Sequence, residues 1–127
     1  MKEKISTAAT ESTPALEFDL QLGNLSLRGK SIPQDPTRFY EPLLKLLSKY
    51  TSDPASETIV NIEMEYFNTP TAKYLQDIFL KLESIKTQSN ITVNWHYDID
   101  DTDMLQAGKD YQGIVHLNFN YVKNQEN

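Results

Sequence analysis

Cysteine is absent from this chain. Disulfide frameworks, thiol nucleophiles and cysteine-ligated zinc or iron–sulfur sites are therefore excluded, and a reducing, cytoplasmic setting is the natural expectation. Basic residues are few: 12 Lys and Arg face 18 Asp and Glu, for a net charge of −6. Nucleic-acid binding needs clustered Lys and Arg against phosphates, so no such partner is expected. Long apolar runs are missing as well. No stretch approaches the roughly 18 to 20 residues of a membrane span, and the charged segment Met1–Thr7 lacks the apolar run of a signal peptide. No nucleophile elbow, Gly-rich phosphate loop or metal-ligand spacing occurs. The two histidines, His96 and His116, fall on the polar face of expected strands without triad partners. Neither an enzyme nor a cofactor is called for.

What is present suffices for one domain. The 127 residues are 39% hydrophobic and 24% charged, enough for one ordinary core. Residues 1–11 are small, polar and unpatterned, and read as a mobile tail before a domain at 12–123. Leu16, Phe18, Leu20 and Leu22 alternate with polar residues as a strand. Gly23-Asn24 turns it into a second strand carrying Leu25 and Leu27, a hairpin. Asp35-Pro36 reads as a cap and first-turn proline before Phe39, Leu43, Leu46, Leu47 and Tyr50 at helical spacing, with Pro42 inside the pattern. Val60, Ile62, Met64 and Tyr66 predict a third strand. Ala72, Leu75, Ile78, Phe79, Leu82 and Ile85 predict the clearest helix. Ile91, Val93, Trp95 and Tyr97 predict a fourth strand. A short helix at about 101–109 and a strand through Val115, Leu117, Phe119 and Tyr121 complete a β-β-α-β-α-β-α-β order. This is an α/β domain with a mixed five-stranded sheet. Its strands alternate rather than run continuously apolar, so the helices are expected mainly on one face.

Two segments carry candidate function. At Tyr66-Phe67-Asn68-Thr69-Pro70-Thr71-Ala72, Thr69 is placed to cap the second helix with Pro70 following. A cap alone explains the pattern. Phosphorylation fits it too, because a phosphate there would meet free backbone N–H groups and the positive end of the helix dipole. Thr71, inside the first turn, is the competing acceptor. Dense carboxylates mark the second segment, Trp95–Met104. The EF-hand pattern fails there: Asp103 stands where Gly is needed and Lys109 where Glu is needed. Asp100 or Asp101 as a helix cap accounts for the stretch, and a partner-contact surface is the next reading.

Several motifs together resemble the SiaC family of bacterial regulatory phosphoproteins. They are Thr13-Pro14-Ala15-Leu16-Glu17-Phe18-Asp19, Leu25-Ser26-Leu27-Arg28-Gly29-Lys30-Ser31, Phe39-Tyr40-Glu41-Pro42, Glu65-Tyr66-Phe67-Asn68-Thr69, Trp95-His96-Tyr97-Asp98 and the run from Asp100 to Asp110. The resemblance implies a STAS-like fold and no catalytic activity. It implies a threonine, matched here by Thr69, that a dedicated kinase phosphorylates and a PP2C-type phosphatase restores. It further implies that the unphosphorylated form activates a diguanylate cyclase, linking the switch to cyclic-di-GMP and biofilm formation. A docking surface is then expected from Asn68, Thr69, Pro70, Thr71 and Lys73, with Trp95, Tyr97, Asp98, Asp100, Asp101, Asp103 and Met104 beside it. Two departures stand out. Pro70-Thr71 replaces the two serines common in the family, and His96-Tyr97-Asp98 replaces Tyr-Tyr-Asp. A constitutive binding module of the same fold, with Thr69 only a cap, is the alternative.

Overall fold

A computed structural model describes residues 3–124. The elements are β1 (Lys4–Thr7), β2 (Ala15–Asp19), β3 (Asn24–Ser31), α1 (Pro36–Ser52), β4 (Glu57–Phe67), α2 (Thr69–Glu83), β5 (Asn90–Tyr97), α3 (Thr102–Ile114) and β6 (Asn118–Lys123). Six strands form one sheet in sequence order; β1, β2 and β3 run antiparallel, and β3 through β6 run parallel. Each parallel crossover reaches the next strand over, so the right-handed rule sends all three helices to the same side. The opposite face is polar. Glu17, Ser26, Asn61, Asn94 and Asn120 form one row across it, and the Asn94 and Asn120 amides donate to Asn61 and Asn94 at 3.0 and 3.2 Å.

Three expectations needed correction. The sheet has six strands rather than five, because Lys4–Thr7 pair with β2 inside the segment read as a tail; Met1 and Lys2 lie outside the described residues. The pairing of Lys4–Thr7 is mainly backbone, with only Ile5 packed on the core, so the strand leaves little trace in hydropathy. Leu22 is exposed, since β2 ends at Asp19, whose Oδ1 accepts from the N–H groups of Gln21 and Leu22 and turns the chain. Tyr66 is also exposed, at 57%. Gly29 lies opposite Met64 but Lys30 lies opposite Tyr66, so Glu65 is an extra residue and β4 carries a bulge. Gly29 meets it with φ +124°, a backbone state closed to most side chains. Beyond the bulge the pleat is inverted. Phe67 turns toward Trp95 at a ring separation of 6.2 Å, and Tyr66 turns outward.

Helix boundaries follow local chemistry. Asp35 Oδ1 accepts from Arg38 N–H and Pro36 opens α1, which continues unbroken through Pro42. The third helix extends a turn beyond the expected Lys109, to Ile114. Trp95, Tyr40, Tyr50, Phe18 and Phe79 are the largest wholly buried side chains. Gly108 of α3 lies flat against the Trp95 ring: a Cβ there would meet ring atoms at 2.7 to 2.8 Å. Such close approach is what the glycine permits.

Candidate functional site

Parallel α/β sheets place binding sites beyond the carboxyl ends of their strands. Here that end gathers the β4–α2 junction, the β5–α3 loop and the end of β3. Asn68, not Thr69, caps α2: its backbone is extended (φ −90°, ψ 178°) and its Oδ1 accepts from Thr71 N–H at 3.1 Å. The Asn amide spans to the third helical N–H as a good cap does, so Thr69 becomes the first helical residue and Pro70 the second. Thr69, Pro70 and Lys73 are exposed.

Thr71 has the opposite setting. It is wholly buried; its Oγ1 donates to the Ser31 carbonyl at 3.1 Å and lies 2.7 Å from Ser31 Oγ, which lies 2.6 Å from the Tyr40 hydroxyl. Burial pushes the Tyr40 pKa up, and its hydrogen bonds to Ser31 and Thr71 offset part of that. The first turn of α2 is tied elsewhere as well. Tyr111 of α3 donates to the Ala72 carbonyl at 2.6 Å, and Tyr74 stacks on Tyr40 at 5.0 Å.

Two of the N–H groups expected to be free at this helix start, those of Thr71 and Ala72, are already engaged. Pro70 has none, Thr71 N–H is held by the Asn68 side chain, and Ala72 N–H bonds to the Asn68 carbonyl.

In the β5–α3 loop, Asp98, Ile99 and Asp100 are exposed. Asp101 caps α3, accepting from Met104 N–H at 3.0 Å, and Asp103 is exposed in the first turn. Two residues expected at the surface are interior. Trp95 shares the helix-facing side of β5 with Ile91 and Val93, and its Nε1 donates to the Met104 carbonyl at 2.8 Å. Met104 is itself buried. Trp95, Met104 and Thr71 thus support the surface from below, while Tyr97 is half-buried. Sequence reasoning missed three exposed apolar side chains at the same end: Ile32, Tyr66 and Ile99. Alternation assigned Tyr66 to the core, and only Gly29 hinted at the bulge.

The histidines lie away from Thr69. His116 bonds to Glu83 through its backbone N–H at 2.7 Å and its ring at 3.1 Å, which holds the Glu83 carboxyl below its usual range. His96 lies 3.8 Å from Glu63 on the open sheet face. Among the described residues, no group of three or more His, Asp or Glu side chains is placed to hold a metal ion, and no helix is long and apolar enough to cross a membrane.

A family model for SiaC family regulatory phosphoproteins matches residues 7–124. A protein of Pseudomonas aeruginosa strain UCBPP-PA14, itself uncharacterised, is 29% identical over 90 residues, covering 70% of this chain and 71% of that one. Among solved structures, apo-SiaC from Pseudomonas aeruginosa superposes with a TM-score of 0.84 at 22% identity, over 94% of this chain and 98% of that one. A chain from the complex of the diguanylate cyclase SiaD with its activator SiaC, from the same organism, gives 0.88 at 22% identity, over 94% and 99%. At that identity the likeness establishes the fold.

Proposed function

We propose a function that proceeds from one premise: the chain belongs to the SiaC family of regulatory phosphoproteins. It is a regulator rather than an enzyme. On this reading the unmodified chain binds and activates a diguanylate cyclase in the cytoplasm, through the surface around Thr69, and so raises cyclic-di-GMP and promotes biofilm formation. A kinase phosphorylates Thr69 and breaks the complex; a PP2C-type phosphatase restores it.

The observation that carries the switch is the contrast between two threonines two residues apart. Thr69 presents its side chain to solvent, whereas the Thr71 hydroxyl is sealed beneath β3 and α1. A kinase reaches the first without unfolding the helix start. The phosphate adds about 1.5 to 2 negative charges, beside a loop already carrying Asp98, Asp100, Asp101 and Asp103. The exposure of Thr69 puts that charge in the proposed interface. A buried, unmatched charge there costs about 2 to 5 kcal/mol, or tens- to thousands-fold in affinity.

The test pairs site mapping with binding. After incubation with the cognate kinase and ATP, mass spectrometry is expected to find phosphate on Thr69. Thr69→Ala is expected to bind the cyclase normally and to lose ATP-dependent release. Phosphate on other residues alone, or ATP-dependent release surviving in Thr69→Ala, sinks the reading.

A further inference from the structure

The bulge at Glu65 builds a groove that alternation alone would not have produced. It lies between the end of β4 and the first turns of α3, with a volume of about 230 Å³. Tyr66, Phe67, Met104 and Ala107 line it together with Glu65, Asp101 and Asp103. Small-molecule pockets run to roughly 300 to 1,000 Å³, so this groove suits one long side chain.

Among the described residues, no Lys, Arg or His forms an ion pair with Glu65, Asp101 or Asp103. Asp101 commits its Oδ1 to capping α3 and keeps its second oxygen. Glu65 also borders the larger concavity on the open sheet face, where Arg28 stands among Glu17 and Glu63, and a smaller one with Lys30, but it is ion-paired to neither cation. The groove beside α3 combines an exposed aromatic ring, an apolar lining and carboxylates that no ion pair among the described residues answers.

We propose that this groove receives an arginine side chain from the protein partner. The guanidinium stacks on an aromatic face and bonds bidentately to carboxylates, while its methylene stem covers apolar surface. Tyr66 supplies the ring, Met104 and Ala107 the apolar contact, and Glu65 and Asp103 the acceptors. The assignment deepens the proposed partner reading and rests on it for the partner's identity alone.

The experiment needs no cyclase, so its failure and the failure of that reading are distinguishable. The isotope-labelled full chain is titrated with N-acetyl-L-arginine methylamide while amide resonances are followed. The citrulline counterpart, of the same shape without the charge, is the control. Saturable shifts are expected at Tyr66, Asp103 and Met104 with the arginine probe only. The double variant Glu65→Gln, Asp103→Asn is expected to bind about tenfold more weakly. Neither carboxylate caps a helix, and Asp103 in the first turn of α3 contributes only through the helix dipole, so the thermal midpoint should fall by no more than a few degrees. Tyr66→Leu, which removes an exposed ring, gives a second and independent loss. Equal shifts with citrulline, shifts confined to Glu17 and Glu63 on the open face, or undiminished binding in both variants overturns the proposal.

Discussion

Two threonines with nearly the same sequence neighbourhood do different work, and burial of one hydroxyl separates them. Thr71 belongs to a chain of hydroxyls with Ser31 and Tyr40 that ties α2 to β3 and α1. Thr71→Val keeps the shape and removes the donor. The Ser31 carbonyl still accepts from Asn68 N–H, so the loss belongs at the modest end, about 1 to 2 kcal/mol. Thr71→Ser keeps the hydroxyl and gives up one methyl group, about 1 kcal/mol at most. Urea midpoints for the two variants check this: valine should be the more destabilised, and the reverse order would remove the hydrogen-bonding role. None of this was legible in the sequence. Thr69 and Thr71 both suited a helix start, and Ser31 gave no signal at all. Its importance comes from a contact across 40 residues, which no local pattern encodes. The cap was misplaced by one residue because Asn and Thr are both good caps, and proline is acceptable at either of the first two helical positions.

Elements were far more legible than side-chain roles. Alternation located β2 through β5 and the last strand, and three- and four-residue spacing located the helices, since one buried face imposes those periods directly. The failures have physical causes. The first strand adds on through backbone bonds, and a bulge inverts β4 just before the proposed switch. The bulge matters most, because it turns Tyr66 out to the surface where the proposed partner sits. At the opposite side of this end, α3 owes its seat to a missing side chain. Gly108→Ala restores about 1 kcal/mol of helix propensity. It also drives a Cβ into the Trp95 ring at 2.7 to 2.8 Å, and overpacking of this kind costs about 1 to 3 kcal/mol. The ring is rigid and boxed in by Phe67, Phe79, Tyr111 and Phe119, so the clash should win. We expect a net loss of about 1 to 2 kcal/mol in calorimetry, with α3 displaced. A stabilised Gly108→Ala would mean that the helix slides freely on the sheet.

At the scale of the whole molecule, one-sided packing concentrates every helix contact on one face of the sheet and leaves tyrosines to join the layers. Tyr40 holds α1 to β3 and α2, and Tyr111 holds α3 to α2. Burial raises both pKa values above the usual tyrosine value, and for Tyr111 the nearby Tyr40 adds to the effect. The sign of the resulting pH dependence follows from proton counting. Well below about pH 10, the ordinary tyrosine value, both rings are protonated in the folded and unfolded chain, and they add no slope. Above it, the unfolded chain gives up these protons while the folded chain keeps them. The unfolded state then binds fewer protons, so stability falls as pH rises. Urea midpoints taken from about pH 8 to about pH 11 should be level with respect to these groups and then decline. Absorbance near 295 nm should show Tyr40 and Tyr111 ionising only as the chain unfolds. Lysines titrate in the same region, so the variants isolate the cause. Tyr40→Phe and Tyr111→Phe should each lower the midpoint at neutral pH and flatten the alkaline decline. An unchanged slope in both would show that these two rings do not govern alkaline unfolding.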